Sequence, residues 1–198
     1  LVSPGIHSAQ VGSVAIDEMI GAGIGGFGAG LQALDTFGRS VAALGDVDGD
    51  GIPDLAVGAA RDLDSSGTRP GKVWVLFLDR TGTVSGEVEV TPGTLGSSDQ
   101  FGWALAALDD LDGNGVTELA VGANGDDSGG NNRGAVWILF LEMDGSVSSE
   151  VKIDSAALAL IGGSLANNDE FGSALAPIGD LDGNGFEDLL VGARFDNT

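Results

Sequence analysis

One string recurs along the chain, and it limits the possible folds more than any other feature. It first reads Phe37-Gly38-Arg39-Ser40-Val41-Ala42-Ala43-Leu44-Gly45-Asp46-Val47-Asp48-Gly49-Asp50-Gly51-Ile52-Pro53-Asp54-Leu55-Ala56-Val57-Gly58-Ala59. It returns from Phe101-Gly102 to Gly122-Ala123 and again from Phe171-Gly172 to Gly192-Ala193, the copies beginning 64 and then 70 residues apart. A repeat of this length is one supersecondary unit, and it buries its apolar face only by stacking on its neighbours. After each of the first two copies comes a polar stretch (61–70, 124–133), then an apolar run, Val73–Leu78 or Val136–Leu141. Asp144-Gly145 marks a turn after the second run, and an alternating segment follows in both units, Glu87-Val88-Glu89-Val90 and Glu150-Val151-Lys152-Ile153. Runs of this length and period, bounded by turn residues, predict strands, so each unit reads as four short antiparallel strands.

No segment sustains a helical period over ten or more residues, so the expected class is all-β. Four-stranded units at a regular interval predict an array of β-propeller-type blades, each sheet packing on the next. The uninterrupted apolar runs suit strands covered on both faces, with Trp74 and Trp137 as wedges between sheets. Phe37, Phe101 and Phe171 are expected to be buried at equivalent positions. The units divide as 1–36, a glycine-rich partial blade; 37–100 and 101–170, two full repeats; and 171–198, the first half of a third. The 28 residues from Phe171 and the 36 before Phe37 together match one 64-residue unit. This predicts that such halves complete one another within a chain or between neighbouring chains, through sheet edges and head to tail, or that further blades of the same chain complete them.

Each repeat also carries an acidic loop with oxygen side chains at its first, third, fifth and ninth positions. These are Asp46, Asp48, Asp50 and Asp54; Asp110, Asp112, Asn114 and Glu118; and Asp180, Asp182, Asn184 and Asp188. Odd spacing in a tight loop turns such side chains toward one centre, and the carbonyl of the seventh residue (Ile52, Val116 or Phe186) supplies a further oxygen. A set of hard oxygen donors is what Ca2+ takes, so three calcium sites are expected. The glycines at the fourth and sixth positions (Gly49 and Gly51, Gly113 and Gly115, Gly183 and Gly185) supply the positive φ that so sharp a wrap needs. An EF-hand would require a Glu at the twelfth position, where Val57, Val121 and Val191 stand, and helical flanks.

The Phe-Gly pairs, the Asp-x-Asp-Gly-(Asp/Asn)-Gly loops and the Val-Gly-Ala endings resemble the FG-GAP repeat of integrin alpha-subunit propellers and of many bacterial surface proteins. The Pro that usually follows Gly-Ala in that family is replaced by Ala60, Asn124 and Arg194. The resemblance covers residues 37–198 clearly, and it implies a β-propeller fold and an extracellular or cell-surface setting.

Composition removes several rival functions. The formal net charge of −22 repels nucleic acid and anionic membranes. With no Cys and a single His, His7, expected in a solvated loop, the chain offers neither a thiolate nor a His-based metal site. The least polar stretch, Met19 to Leu34, is short and rich in Gly and Ala, so no membrane insertion is expected. Gly21-Ala22-Gly23-Ile24-Gly25-Gly26 matches a dinucleotide fingerprint, but the following Gly28 and Gly30 read as a β-connection rather than a helix. Every strongly clustered carboxylate lies in a repeated loop, and repetition in each blade favours a structural task over catalysis. The expected function is a non-enzymatic, calcium-stabilised protein of adhesion or structural assembly, including a head-to-tail filament. The alternative is recognition of a protein or glycan ligand through inter-blade loops.

Overall fold

The computed structural model describes residues 18–32, 34–64 and 66–196. His7 and the rest of 1–17 lie outside the described residues. The first unit folds into β1 (Phe37–Gly45), β2 (Asp54–Ala59), β3 (Lys72–Leu78) and β4 (Val84–Val90), and the second into β5 (Phe101–Ala107), β6 (Leu119–Ala123), β7 (Ala135–Leu141) and β8 (Val147–Ile153). A helical turn, α1 (Ser155–Ala159), precedes the third copy, which forms β9 (Phe171–Pro177) and β10 (Leu189–Ala193). Hydrogen bonding joins the strands in the orders β1-β2-β3-β4, β5-β6-β7-β8 and β10-β9. All strand pairs in these sheets are antiparallel. The molecule is all-β, built of blade-type sheets as the repeat predicts.

The sheets stack face on face. Leu44, Val47, Val73 and Val75 of the first meet Phe101, Leu119, Val121 and Trp137 of the second in one buried cluster. Ala106, Leu108, Ala120 and Val136, on the other face of the second sheet, meet Phe171, Leu175 and Leu189 of the third. The apolar strands β3 and β7 are therefore buried from both sides. Trp137 (3% exposed) is a wedge between sheets as expected, whereas Trp74 (9%) is buried on the first sheet's outer face, against the glycine-rich segment rather than against another sheet. On the first sheet's outer face, Phe27 from the glycine-rich segment fills the layer, edge-on to Trp74 with ring centroids 5.4 Å apart. That segment makes turns and one isolated bridge, Gly21 with Ile24, and no helix opens at its glycine fingerprint.

The Phe-Gly pair explains itself at these junctions. In each copy the first strand bulges directly after its Phe, with Gly38, Gly102 and Gly172 at φ of 81°, 87° and 85°. A side chain tolerates that conformation poorly, so the bulge selects glycine. The bulge lets the amide of Phe101 donate to the Pro70 carbonyl at 2.7 Å and that of Phe171 to the Arg133 carbonyl at 2.9 Å, stitching each sheet to the one before. It also brings the Gly102 carbonyl against Gly58 and the Gly172 carbonyl against Gly122, where any Cβ would collide. Phe101 is fully buried, because it lies between two complete sheets. Phe37 and Phe171 are only half-buried, a difference from the expected equivalence that follows from their neighbours. Phe37 packs on Phe27 of the glycine-rich segment, ring centroids 4.8 Å apart, rather than on another sheet, and Phe171 belongs to a two-stranded sheet.

Candidate metal centres

The acidic loops join the first two strands of each sheet and therefore all emerge at the same end of the stack. Within each loop the backbone amides are aimed inward. The first-position carboxylate accepts from the sixth-position amide: Gly51 to Asp46 at 2.9 Å, Gly115 to Asp110 at 2.8 Å and Gly185 to Asp180 at 2.9 Å. Asp48, Asp112 and Asp182 each accept from the amide two residues on, at 3.0–3.1 Å. Asp50, Asn114 and Asn184 do the same toward Ile52, Val116 and Phe186, at 2.7–2.8 Å. The six glycines at the fourth and sixth positions stand at φ between 77° and 91°. Sequence order thus becomes a bowl of oxygens, as the spacing requires.

Ligand atoms of Asp46, Asp48 and Asp50 lie within 4.8 Å of one another, as do those of Asp110, Asp112 and Glu118, and of Asp180, Asp182 and Asp188. The ninth-position residue anchors its loop in every copy, accepting from the second-position amide: Val47 to Asp54 at 2.9 Å, Leu111 to Glu118 at 2.8 Å and Leu181 to Asp188 at 2.7 Å. Asp54 differs from its counterparts. Its other oxygen accepts from Leu78 at 3.0 Å, so both oxygens serve the backbone and it stands outside the first cluster. Glu118 is one methylene longer. Its Oε1 is buried with no hydrogen-bond partner, although the residue is fully enclosed. Burial, then the neighbouring Asp112 and Asp110, push its carboxyl above the ordinary value. Of the seventh residues, Val116 is buried between sheets, Ile52 is half-buried and Phe186 is exposed.

This donor set fits a hard cation. Each bowl gathers three carboxylates, and in the second an enclosed carboxylate oxygen sits unbonded beside two further carboxylates. An uncompensated buried carboxylate is costly, and a cation relieves both its desolvation and its repulsion from the others.

A second acidic set, which the sequence reading overlooked, occupies the opposite end. An Asp stands two residues before each Phe-Gly pair, at Asp35, Asp99 and Asp169, and all three are buried. Asp99 and Asp169 close the turn before their strand by accepting from Gly96 and Ala166, each at 2.6 Å. Their carbonyls, and that of Asp35, receive the amides of Gly125, Phe195 and Arg61 at 3.1–3.2 Å, tying each turn to the loop after the second strand. Buried Asp62 and Asp126 in those loops each hold a lysine, Asp62–Lys72 at 3.2 Å and Asp126–Lys152 at 2.6 Å. The lysines come from different strands. Lys72 on β3 faces Glu89 on β4, while the second sheet has Ala135 and Lys152 in those places, so one cation is kept by exchanging its origin. The recurrence of Asp at a fixed offset from Phe-Gly was the signal available.

Stacked blades joined by bulged Phe-Gly strands, each with an acidic loop at one end, define a β-propeller-type repeat. The chain is an FG-GAP repeat protein: residues 37–76 and 101–139 match the FG-GAP repeat family. It is 34% identical over 169 residues to integrin alpha-PS2 of Drosophila melanogaster, covering 83% of this chain and 12% of that protein. To Homo sapiens integrin alpha-IIb it is 32% identical over 168 residues, covering 83% and 15%. To Bos taurus phosphatidylinositol-glycan-specific phospholipase D it is 32% identical over 127 residues, covering 64% and 15%. The chain thus spans only 12–15% of the length of these relatives. No helix among the described residues is long and apolar enough to cross a membrane.

Proposed function

We propose that this chain is a calcium-stabilised, extracellular or cell-surface repeat module of adhesion or ligand recognition, and that its role is not catalytic. The observation that carries the calcium reading is the enclosed, unbonded Glu118 Oε1 beside Asp110 and Asp112, in a loop whose design recurs in each copy. Asp110, Asp112, Asn114 and Glu118, with the Val116 carbonyl, would hold the ion in the second loop. Asp180, Asp182, Asn184, Asp188 and the Phe186 carbonyl would do so in the third, and Asp46, Asp48, Asp50 and the Ile52 carbonyl in the first. Asp54 acts there through the loop backbone, which makes the first site the weakest of the three.

The ion cross-links the ends of two strands and cancels the repulsion among the carboxylates, so its chemistry is structural. Both integrin relatives are named for integrins, and an adhesive surface setting is the reading their names favour. The phospholipase D relative carries an enzymatic name, but the clustered carboxylates of this chain recur from blade to blade, which suits a scaffold. Head-to-tail assembly through the sheet edges is the form of association that a stack of blades favours.

Calcium titration followed by calorimetry and thermal melting tests this reading. Saturation at ~10⁻⁴–10⁻³ M calcium and a melting temperature that falls on chelation are expected, with Asp112→Ala abolishing one binding event. A melting curve indifferent to chelator would overturn it.

A further inference from the structure

The eighth residue of the acidic loop is Pro53 in the first copy, Thr117 in the second and Glu187 in the third. It stands outside the donor set of its own loop. In the second and third copies its side chain reaches back to the preceding sheet. The Thr117 hydroxyl donates to the Leu44 carbonyl, and Glu187 Oε2 accepts from the Asp109 amide at 3.0 Å. Leu44 lies two residues ahead of Asp46, and Asp109 immediately ahead of Asp110, so each contact holds the entrance to the loop before it. Pro53, on the first sheet, has no polar side-chain group with which to do the same.

Between the first two loops this contact is reinforced. Val47, second in its loop, and Val116, seventh in its own, are both buried in the cluster between the sheets. At the β7–β8 hairpin, Asn114 Nδ2 donates to the Leu141 carbonyl at 2.8 Å, and the Met143 methyl lies 3.3 Å from where a Cβ on Gly49 would stand. None of these contacts occupies an oxygen assigned to a bowl. Thr117 sits between Val116 and Glu118, both donors of the second loop, so whatever fixes those two residues also fixes the hydroxyl between them. Ordering a loop costs conformational entropy, and a loop whose entrance is already held has less to lose when it is ordered in turn.

We propose that Thr117 and Glu187 are positioning residues that couple adjacent acidic loops, so that calcium held in one loop strengthens binding in the loop of the preceding sheet. This rests on the calcium reading of the three loops. Linkage makes the coupling reciprocal, each loop strengthening its neighbour by the same factor. The first loop depends on it most, because Asp54 is spent there on the Val47 and Leu78 amides.

The test is a calcium titration of the full chain followed by amide NMR at Gly51, Gly115 and Gly185, whose amides donate to the first-position carboxylates of their loops. One hydrogen bond changes an equilibrium by about two- to tenfold, so Thr117→Val should weaken calcium binding at Gly51 by that factor and change Gly185 far less. Thr117→Ser, which keeps the hydroxyl, should restore the parent's value. Asp112→Ala, which disables the second loop, should weaken binding at Gly51 at least as much. An equal loss at all three glycines in Thr117→Val would assign Thr117 to overall stability and overturn the proposal. A Gly51 titration identical in the parent, Thr117→Val and Asp112→Ala would show independent sites and overturn it as well, with calcium binding itself intact. Calcium that moves none of the three glycine signals is a different result, and it would overturn the calcium reading together with the coupling.

Discussion

Alanine placed at the glycine of each Val-Gly-Ala ending makes one substitution report on three environments. At Gly58 and Gly122 the new Cβ would press on the carbonyl oxygen of Gly102 or Gly172 in the following sheet, with the carbonyl carbon 3.0 Å away in both cases. Ordinary carbon contacts lie at about 3.5–4.0 Å, and a backbone carbonyl cannot rotate aside as a side chain can. Relief requires the sheets to part along the whole junction, and at Gly58 it also disturbs the Ser40 hydroxyl, which donates to the Gly102 carbonyl at 2.7 Å. Overpacking by one methyl typically costs about 1–3 kcal/mol, and in a chain of this size each kcal/mol moves the melting temperature by about 2–4 °C. Gly58→Ala and Gly122→Ala should therefore each melt roughly 2–12 °C below the parent. Gly192 is the internal control. Its Cβ would first meet the Ala174 Cβ at 3.3 Å, with no carbonyl of a following sheet against it. Gly192→Ala should stay within about 2 °C of the parent. Calorimetry of the three variants in saturating calcium decides it. An equal loss at all three positions would refute the junction argument and assign the glycines to local strand geometry.

The remaining predictions address the core and pH. Phe101→Ala should cost about 3–5 kcal/mol in denaturant unfolding, and Phe37→Ala and Phe171→Ala distinctly less, in line with their half-burial; three equal losses would contradict the layering. Burial, only partly offset by the hydrogen bond from Gly96 and reinforced by the nearby Asp126, raises the Asp99 carboxyl above its ordinary value of 3.8. The folded chain therefore favours protonated Asp99, and this contribution to stability is full below pH 3.8 and is lost as the pH rises through the raised value. Asp99→Asn should accordingly gain on the parent at neutral pH and lose that advantage at the acid end of the window; a constant difference across pH would exclude the linkage.

The repeat determined a great deal from sequence alone. Because β-structure and loop wrapping are local matters of period two, turn residues and positive φ, the four-strand units, the Asp144-Gly145 turn and the inward-facing carboxylates of the acidic loops were all legible in residue order. Other features depended on what lies across a junction. The sequence makes Phe37, Phe101 and Phe171 look alike, yet only Phe101 is fully enclosed, because only it has a complete sheet on either side. Asp54 and Glu118 occupy the same loop position, but one methylene and the reach of the Leu78 amide decide that Asp54 braces the backbone while Glu118 leaves an oxygen free for the bowl. The lysines paired with Asp62 and Asp126 come from different strands, and the register alone brings them to one place. Such outcomes rest on distances between segments far apart in the chain, and a periodic sequence repeats its residues without repeating the neighbours that each one meets.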